Sequence, residues 1–144
     1  MSTFTAFVDY NQLHIAPVGV DPVFDAATEP QLAHVVADGK GLIIVTGITA
    51  GPVVVTVTAE PAATPSGPWE ERAVLEMEVD EDLVVSSPTV SDSPTPGAVY
   101  APNEAGPHTV TVLARGRGAH PDEFLDDDAG PTEEYAVIFQ QITA

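Results

Sequence analysis

The sequence predicts an all-β fold: one antiparallel β-sandwich domain over residues 1–144, which could take a jelly-roll arrangement, with one short helix. Valine and threonine are abundant, and branched side chains fit a pleated sheet. Apolar and polar residues alternate with a period of two in several runs. The 14 prolines and 11 glycines interrupt these runs at short intervals, which is typical of sandwiches and barrels.

The first half of the chain contains predicted strands and the one predicted helix. The helix covers residues 29–36, with Thr28 as N-cap and Pro30 in its first turn, and glycines at 39 and 41 end it. An alternating run opens the chain and continues to residue 15, either as a pair of strands or as one long strand. Further strands are predicted over residues 41–49 and 53–59, separated by a turn at 50–52.

In the second half, residues 69–79 contain strong helix formers, yet their apolar side chains alternate with acidic ones. That period of two predicts a strand. An acidic turn at residues 80–82 then leads into its predicted hairpin partner, residues 83–86. Residues 98–101 are expected to be short and extended, and the remaining strands are predicted over residues 108–115 and 134–142.

Charge narrows the set of partners. Only Lys40, Arg72, Arg115 and Arg117 are basic, against 22 carboxylates, and the net charge is −18. Such a surface repels phosphate backbones and anionic lipid, so neither nucleic acid nor a membrane is an expected partner. It attracts basic proteins and speeds their association. The alternative is that the acidity serves solubility or reflects the composition of the host proteome.

No feature of the sequence predicts a cofactor, a metal site or catalysis. There is no cysteine, and the four histidines, at 14, 34, 108 and 120, lack ligand spacing. Nucleophile elbows, phosphate-binding glycine loops and zinc-binding helices are missing from the sequence. The N-terminus lacks the pattern of a secretory signal, and no apolar run reaches the ~20 residues of a membrane span. We therefore expect a cytoplasmic protein that is not an enzyme.

Two groups of carboxylates are the candidate partner-binding residues. One is on the strand that follows Trp69, and the other is in the long loop after the 108–115 strand, where a solvated loop is the alternative. Arg115 and Arg117 are expected to pair within the chain. The candidate residues are Glu70, Glu71, Glu76, Glu78, Asp126, Asp127 and Asp128.

Several segments, in order, resemble a bacterial family of small β-sandwich proteins that includes competence protein J, an inhibitor of a DNA-entry nuclease. They are DYNQLHI, GKGLIIVTGITAGPVVVTVTAEP, PWEERAVLEMEVDEDLVVSS, AGPHTVTVLARGRG and EEYAVIFQQI. The resemblance implies a cytosolic inhibitor or immunity-type protein that blocks a basic nuclease or toxin, and it implies no catalytic residues. The residues that carry it are Tyr10 with Gln12, Gly41, Gly51, Trp69, Gly106 to Gly118, and Tyr135 with Phe139.

Three functions compete at this point. An acidic binding module would gather carboxylates on one surface and lose its partner at high salt. A structural or assembly protein, such as a virion or secretion-system component, would self-associate through an apolar exposed edge. An enzyme, for instance one that acts on carbohydrate, would need a deep pocket with convergent carboxylates.

Overall fold

The structure is a computed structural model that describes residues 2–20, 32–36, 39–86, 98–126, 128 and 130–142. Strands dominate these residues, and a 3₁₀ turn occupies Pro61–Ala63. None of the helical segments in these ranges has the length and apolar character needed to cross a bilayer. The strands are β1 (Ser2–Val8), β2 (Gln12–Pro17), β3 (Ala33–Val36), β4 (Gly41–Val45), β5 (Gly51–Thr58), β6 (Glu71–Val79), β7 (Leu83–Ser86), β8 (Gly106–Arg115) and β9 (Glu134–Gln141).

The strands form two sheets, which confirms the all-β sandwich. The five-stranded sheet has the order β1-β5-β9-β8-β6, and the four-stranded sheet has the order β3-β4-β2-β7. Neighbouring strands are antiparallel except β5 and β9, which run parallel. This parallel pair distinguishes the arrangement from a jelly roll built of antiparallel neighbours.

The core lies between the sheets because alternate residues of each strand point inward. Burying one inward Val, Leu or Ile side chain contributes about 1.5–3 kcal/mol to the stability of the fold relative to leaving it exposed. The five-stranded sheet supplies Val53, Val55, Val57, Val110, Val112, Tyr135, Val137 and Phe139, and the four-stranded sheet supplies Leu13, Ile15, Leu42, Ile44, Leu83 and Val85.

The predicted helix over residues 29–36 is wrong wherever the structure describes that segment. Residues 33–36 form β3, which pairs with β4. Ala33 and Val35 pack toward the core, so the segment has the period of a strand. Gly39, with φ of 88°, lies in the turn between β3 and β4 instead of ending a helix. Residues 29–31 lie outside the described part of the chain.

The β1–β2 and β6–β7 connections are two of those that pass from one sheet to the other instead of forming a hairpin within one. The opening run is a pair of strands in different sheets, and the turn between them places Tyr10 and Asn11 at φ of 53° and 59°. The predicted hairpin of residues 69–79 with 83–86 is also wrong, because β7 pairs with β2 in the four-stranded sheet, whereas β6 belongs to the other sheet. Val79 and Leu83 both enter the core, and the turn between them therefore crosses from one sheet to the other.

Candidate protein-binding site

Strand β6 is an edge strand of the five-stranded sheet, and its alternation separates an apolar face from a charged one. The inward positions are Ala73, Leu75, Met77 and Val79, and they pack on the core. The outward positions are exposed. They are Arg72, Val74, Glu76 and Glu78.

The acidic face continues into the turn after β6. Residues 80–82 are all acidic and all exposed, so five carboxylates lie within residues 76–82. Among the described residues, none of these carboxylates forms an ion pair. Lys40 is exposed and follows Gly39, whose carbonyl accepts a hydrogen bond from Glu78 N at 2.8 Å. We call the group consisting of Glu76, Glu78, Asp80, Glu81 and Asp82 the acidic end.

At the opposite end of β6, two predicted site residues have internal roles. The carboxylate of Glu70 accepts a hydrogen bond from Gly116 N at 2.5 Å. Glu71 is half-buried and pairs with Arg117 at 2.5 Å. Both carboxylates therefore hold the turn that follows β8.

Arg115 is held in the same region, which confirms that both arginines pair within the chain. It lies 2.8 Å from Glu134, its guanidinium stacks 4.1 Å from the centre of the Trp69 ring, and it donates to Ser66 O at 3.0 Å. The connection from β5 to β6 is thereby fastened to the outer face of the sheet. This gives Trp69 a structural role.

Beneath the turn that follows β8 lies a carboxylate that was not among the predicted site residues. Glu133 is 1% exposed and accepts hydrogen bonds from Gly47 N at 2.9 Å, from Ile48 N at 2.6 Å and from the Tyr135 hydroxyl. Burial, followed by the charge of Glu133 and its hydrogen bond, raises the pKa of Tyr135 far above its ordinary value. Counting back two residues from the inward Tyr135 would have placed Glu133 on the inner face.

The loop carboxylates Asp126 and Asp128 are exposed, and Asp127 lies outside the described residues. This loop runs beside the start of β5, where Leu125 N donates to Ala50 O at 2.8 Å. The pairing register puts that end of the sheet near Arg115, whereas Glu78 lies opposite Pro107. Those two positions of β8 are eight residues apart, or roughly 26 Å at about 3.3 Å per residue. Glu76 and Glu78 therefore lie on a different surface from Asp126 and Asp128, whereas Glu70 and Glu71 lie at the same end of the sheet as the loop.

A shallow depression lies over the turn that follows β8 rather than at the acidic end. Its carboxylates, Glu70, Glu133 and Glu134, are the ones already bonded to the turn and to its neighbours. Within the described ranges no three His, Cys, Asp or Glu residues are grouped so as to hold a metal ion. The lining comprises Val54, Pro68, Glu70, Arg115, Gly116, Pro131, Thr132, Glu133 and Glu134.

Comparison with known proteins supports the fold. No protein-family model matches the sequence, and no curated protein matches it. The structure is similar to that of ComJ from Bacillus subtilis, described as an inhibitor of the DNA degrading activity of NucA, with a TM-score of 0.64 and 10% sequence identity over 99% of this chain and 96% of ComJ. It is also similar to a protein described as crocagin biosynthetic gene J, with a TM-score of 0.49 and 13% identity over 96% of this chain and 98% of that one. The chain thus shares the fold of ComJ, as the sequence resemblance predicts.

Proposed function

We propose that this protein is an acidic binding module that inhibits a basic nuclease or toxin in the cytoplasm by contact, without catalysis of its own. The observation that carries the proposal is the acidic end: five exposed carboxylates in one stretch, none of which forms an ion pair with a described residue. The net charge of −18 acts in the same direction. The inhibitory role of ComJ, whose fold this chain shares, makes a nuclease the first partner to test.

Charge complementarity suggests how such inhibition would work. A nuclease neutralises phosphates with lysine and arginine, so its DNA-binding surface is basic. The acidic end presents a row of carboxylates on a strand and its turn, held in place by the sheet. Bound to the basic surface, this row would exclude DNA, and inhibition would be competitive with DNA.

A structural or assembly role is the alternative. It would rest on contacts between copies of the chain and would need no basic partner. The acidic end favours the inhibitor, because two copies of the acidic end facing each other would repel.

The experiment starts from the immobilised protein and an extract of the source organism at low ionic strength. Bound proteins are eluted with a salt gradient, and each fraction is assayed for DNA degradation with and without added purified protein. We expect a basic protein with nuclease activity that the added protein suppresses, less strongly as the DNA concentration rises. Fractions without nuclease activity, or with activity that the protein leaves unchanged, would contradict the proposal.

A further inference from the structure

The outer edge of β6 carries backbone groups that the described residues leave unpaired. Glu78 N donates outward to Gly39 O at 2.8 Å, which fixes the direction of alternation. Successive residues of a strand direct their N–H and C=O groups to opposite sides. The backbone groups of Arg72, Val74 and Glu76 therefore point away from β8, and no residue in the described ranges supplies a hydrogen bond to them.

Two side chains along this edge, those of Val74 and Arg72, are exposed to solvent. Val74 is 56% exposed and is the one large apolar side chain exposed within the described strands. Arg72 is exposed and forms no ion pair in the described chain, in contrast to Arg115 and Arg117. Its nearest carboxylate along the same face of the strand, Glu76, is four residues away, or about 13 Å.

Open strand edges are templates for pairing with another chain, and soluble proteins normally cover or charge them. Here the open stretch is short. The Gly39 turn covers it at residue 78, and at the other end Glu70 N donates toward β8, to Ala114 O at 3.0 Å, so the outward row ends at residue 72. An occupant would therefore be a strand of about five residues with an acidic side chain opposite Arg72 and a basic one opposite Glu76.

We propose that the occupant is a second copy of this chain, paired antiparallel through β6 about a two-fold axis at Val74. In that register Arg72 lies opposite the partner's Glu76, and symmetry repeats the pair on the other side of the axis. Val74 meets the partner's Val74. Roughly six backbone hydrogen bonds join the strands, and the two five-stranded sheets become one continuous sheet.

The inner layer supports the same register. Ala73 and Leu75 face the core but are only partly buried at the sheet edge. Across the axis Ala73 lies beside the partner's Leu75, and the reverse contact covers the other pair. Dimerisation would thus bury apolar surface that the single chain leaves half-exposed.

Among the registers centred on the outward residues 72, 74 and 76, only the one at Val74 keeps like charges apart within residues 72–76. A two-fold axis at residue 72 places Arg72 against its own copy, and one at residue 76 does the same for Glu76. The second register would also force the partner strand against the Gly39 turn, which already occupies the edge at Glu78. Like charges directly opposite each other destabilise a strand pair, so the axis at Val74 is favoured.

The test is a charge exchange, measured by sedimentation equilibrium at physiological ionic strength, where the repulsion between two chains of net charge −18 is screened. We expect wild type to form dimers. Arg72→Glu and Glu76→Arg should each weaken self-association by about tenfold or more, because each places two like-charged pairs in the interface. The double variant R72E/E76R keeps the wild-type charge and should dimerise again.

Mixing the two single variants is the sharpest arm of the experiment. The carboxylate introduced by R72E in one chain then faces the guanidinium introduced by E76R in the other. The native Glu76 of the first chain likewise faces the native Arg72 of the second, so a heterodimer should form although neither variant forms a homodimer. Asp128→Arg changes the net charge as Glu76→Arg does, but lies away from β6 and should leave the dimer intact. Circular dichroism checks that each variant is folded.

Three results would overturn the proposal. They are a wild type that stays monomeric at about 100 µM, where dimers of micromolar Kd would be present, an R72E variant that dimerises like wild type, and a double variant or mixture that fails to recover association. Each of these concerns only self-association and leaves the inhibitor proposal to its own experiment.

Discussion

At the residue scale, Glu133 connects two segments that are far apart in sequence. Its two oxygens accept hydrogen bonds from Gly47 N, Ile48 N and the Tyr135 hydroxyl, all beneath the turn that follows β8. A carboxylate accepts at both oxygens, so it satisfies donors that would otherwise be buried without partners. Its neighbour Glu134 has a different role, because it is partly exposed and pairs with Arg115.

Replacing Glu133 by glutamine tests this role. The amide NH₂ that replaces one carboxylate oxygen would face a donor instead of accepting from it, so we expect E133Q to lower the free energy of unfolding by about 2–4 kcal/mol. The matched variant E134Q removes a carboxylate from a partly exposed pair and should lower it by less than about 1 kcal/mol. Urea denaturation measures both values, and equal effects would contradict a special role for Glu133.

Because the pKa of Tyr135 is raised in the folded protein, the free energy of unfolding should fall as pH rises into the alkaline range. The unfolded tyrosine ionises near its ordinary pKa of about 10, whereas the folded one stays protonated because of burial and the Glu133 charge. The contribution is fully present below pH 10 and is lost as pH rises above it, by about 1.4 kcal/mol per pH unit. Tyr135→Phe should be less stable at pH 8 but should show a shallower fall from pH 10 to 11. An unchanged slope in urea titrations would contradict this prediction.

At the element scale, the β8–β9 connection depends on two glycines that leave no room for a side chain. A Cβ on Gly47 would lie 2.0 Å from Arg117 O, and one on Gly116, where φ is 84°, would lie 2.0 Å from Thr132 O. Close approach of the backbone lets Glu133 and the arginines fasten the turn. A Cβ added to Gly118, in the same turn, would meet no atom within 4 Å, so that glycine has no such role.

Alanine substitutions at these glycines separate the two cases. Gly47→Ala should lower the free energy of unfolding by more than about 2 kcal/mol, since backbone atoms would have to move apart. Gly118→Ala should change it by less than about 0.5 kcal/mol. Thermal melts of the two variants check the difference, and similar melting temperatures would show that the turn can shift without loss.

The sequence-based predictions that proved wrong are also at this scale. Residues 29–36 begin with helix-start signals, yet 33–36 pair as a strand because Ala33 and Val35 cover the core beside Ile44 and Leu42. The strand at 69–79 was predicted correctly, but its pairing with 83–86 was not. Local signals predict where a strand runs, whereas the packing of Val79 and Leu83 decides which sheet the next strand joins.

At the scale of the whole molecule, the fold decides which acidic residues lie together on the surface, and composition alone does not show this. Alternation along β6 predicted that Glu76 and Glu78 share a face, and the structure adds the turn at residues 80–82 to them. Glu70 and Glu71 bond to residues of the turn that follows β8, and each bonded pair is 46 positions apart in sequence, so no local pattern reveals these contacts. The same holds for the separation of the acidic end from Asp126 and Asp128.

Net charge also predicts how salt affects stability. With a charge of −18 and few ion pairs in the described chain, repulsion is stronger in the compact state than in the unfolded chain. Raising NaCl from about 0.01 to about 0.2 M at pH 8 should screen this repulsion and stabilise the fold by about 1 kcal/mol, or roughly 3–5 °C in Tm. A Tm that falls or stays constant with salt would show that local pairing dominates.

The most direct test of the binding account is the association rate of the purified nuclease or toxin with two matched variants across a salt series. D80N/D82N removes two carboxylates from the acidic end, and D126N/D128N removes two from the distant loop. We expect wild-type association to slow steeply with salt, and D80N/D82N to slow it about threefold to tenfold at low salt, with little change in dissociation. D126N/D128N should have a smaller effect. Affinity that does not change between low and high salt, or a larger effect of the loop variant, would contradict a contact made through the acidic end.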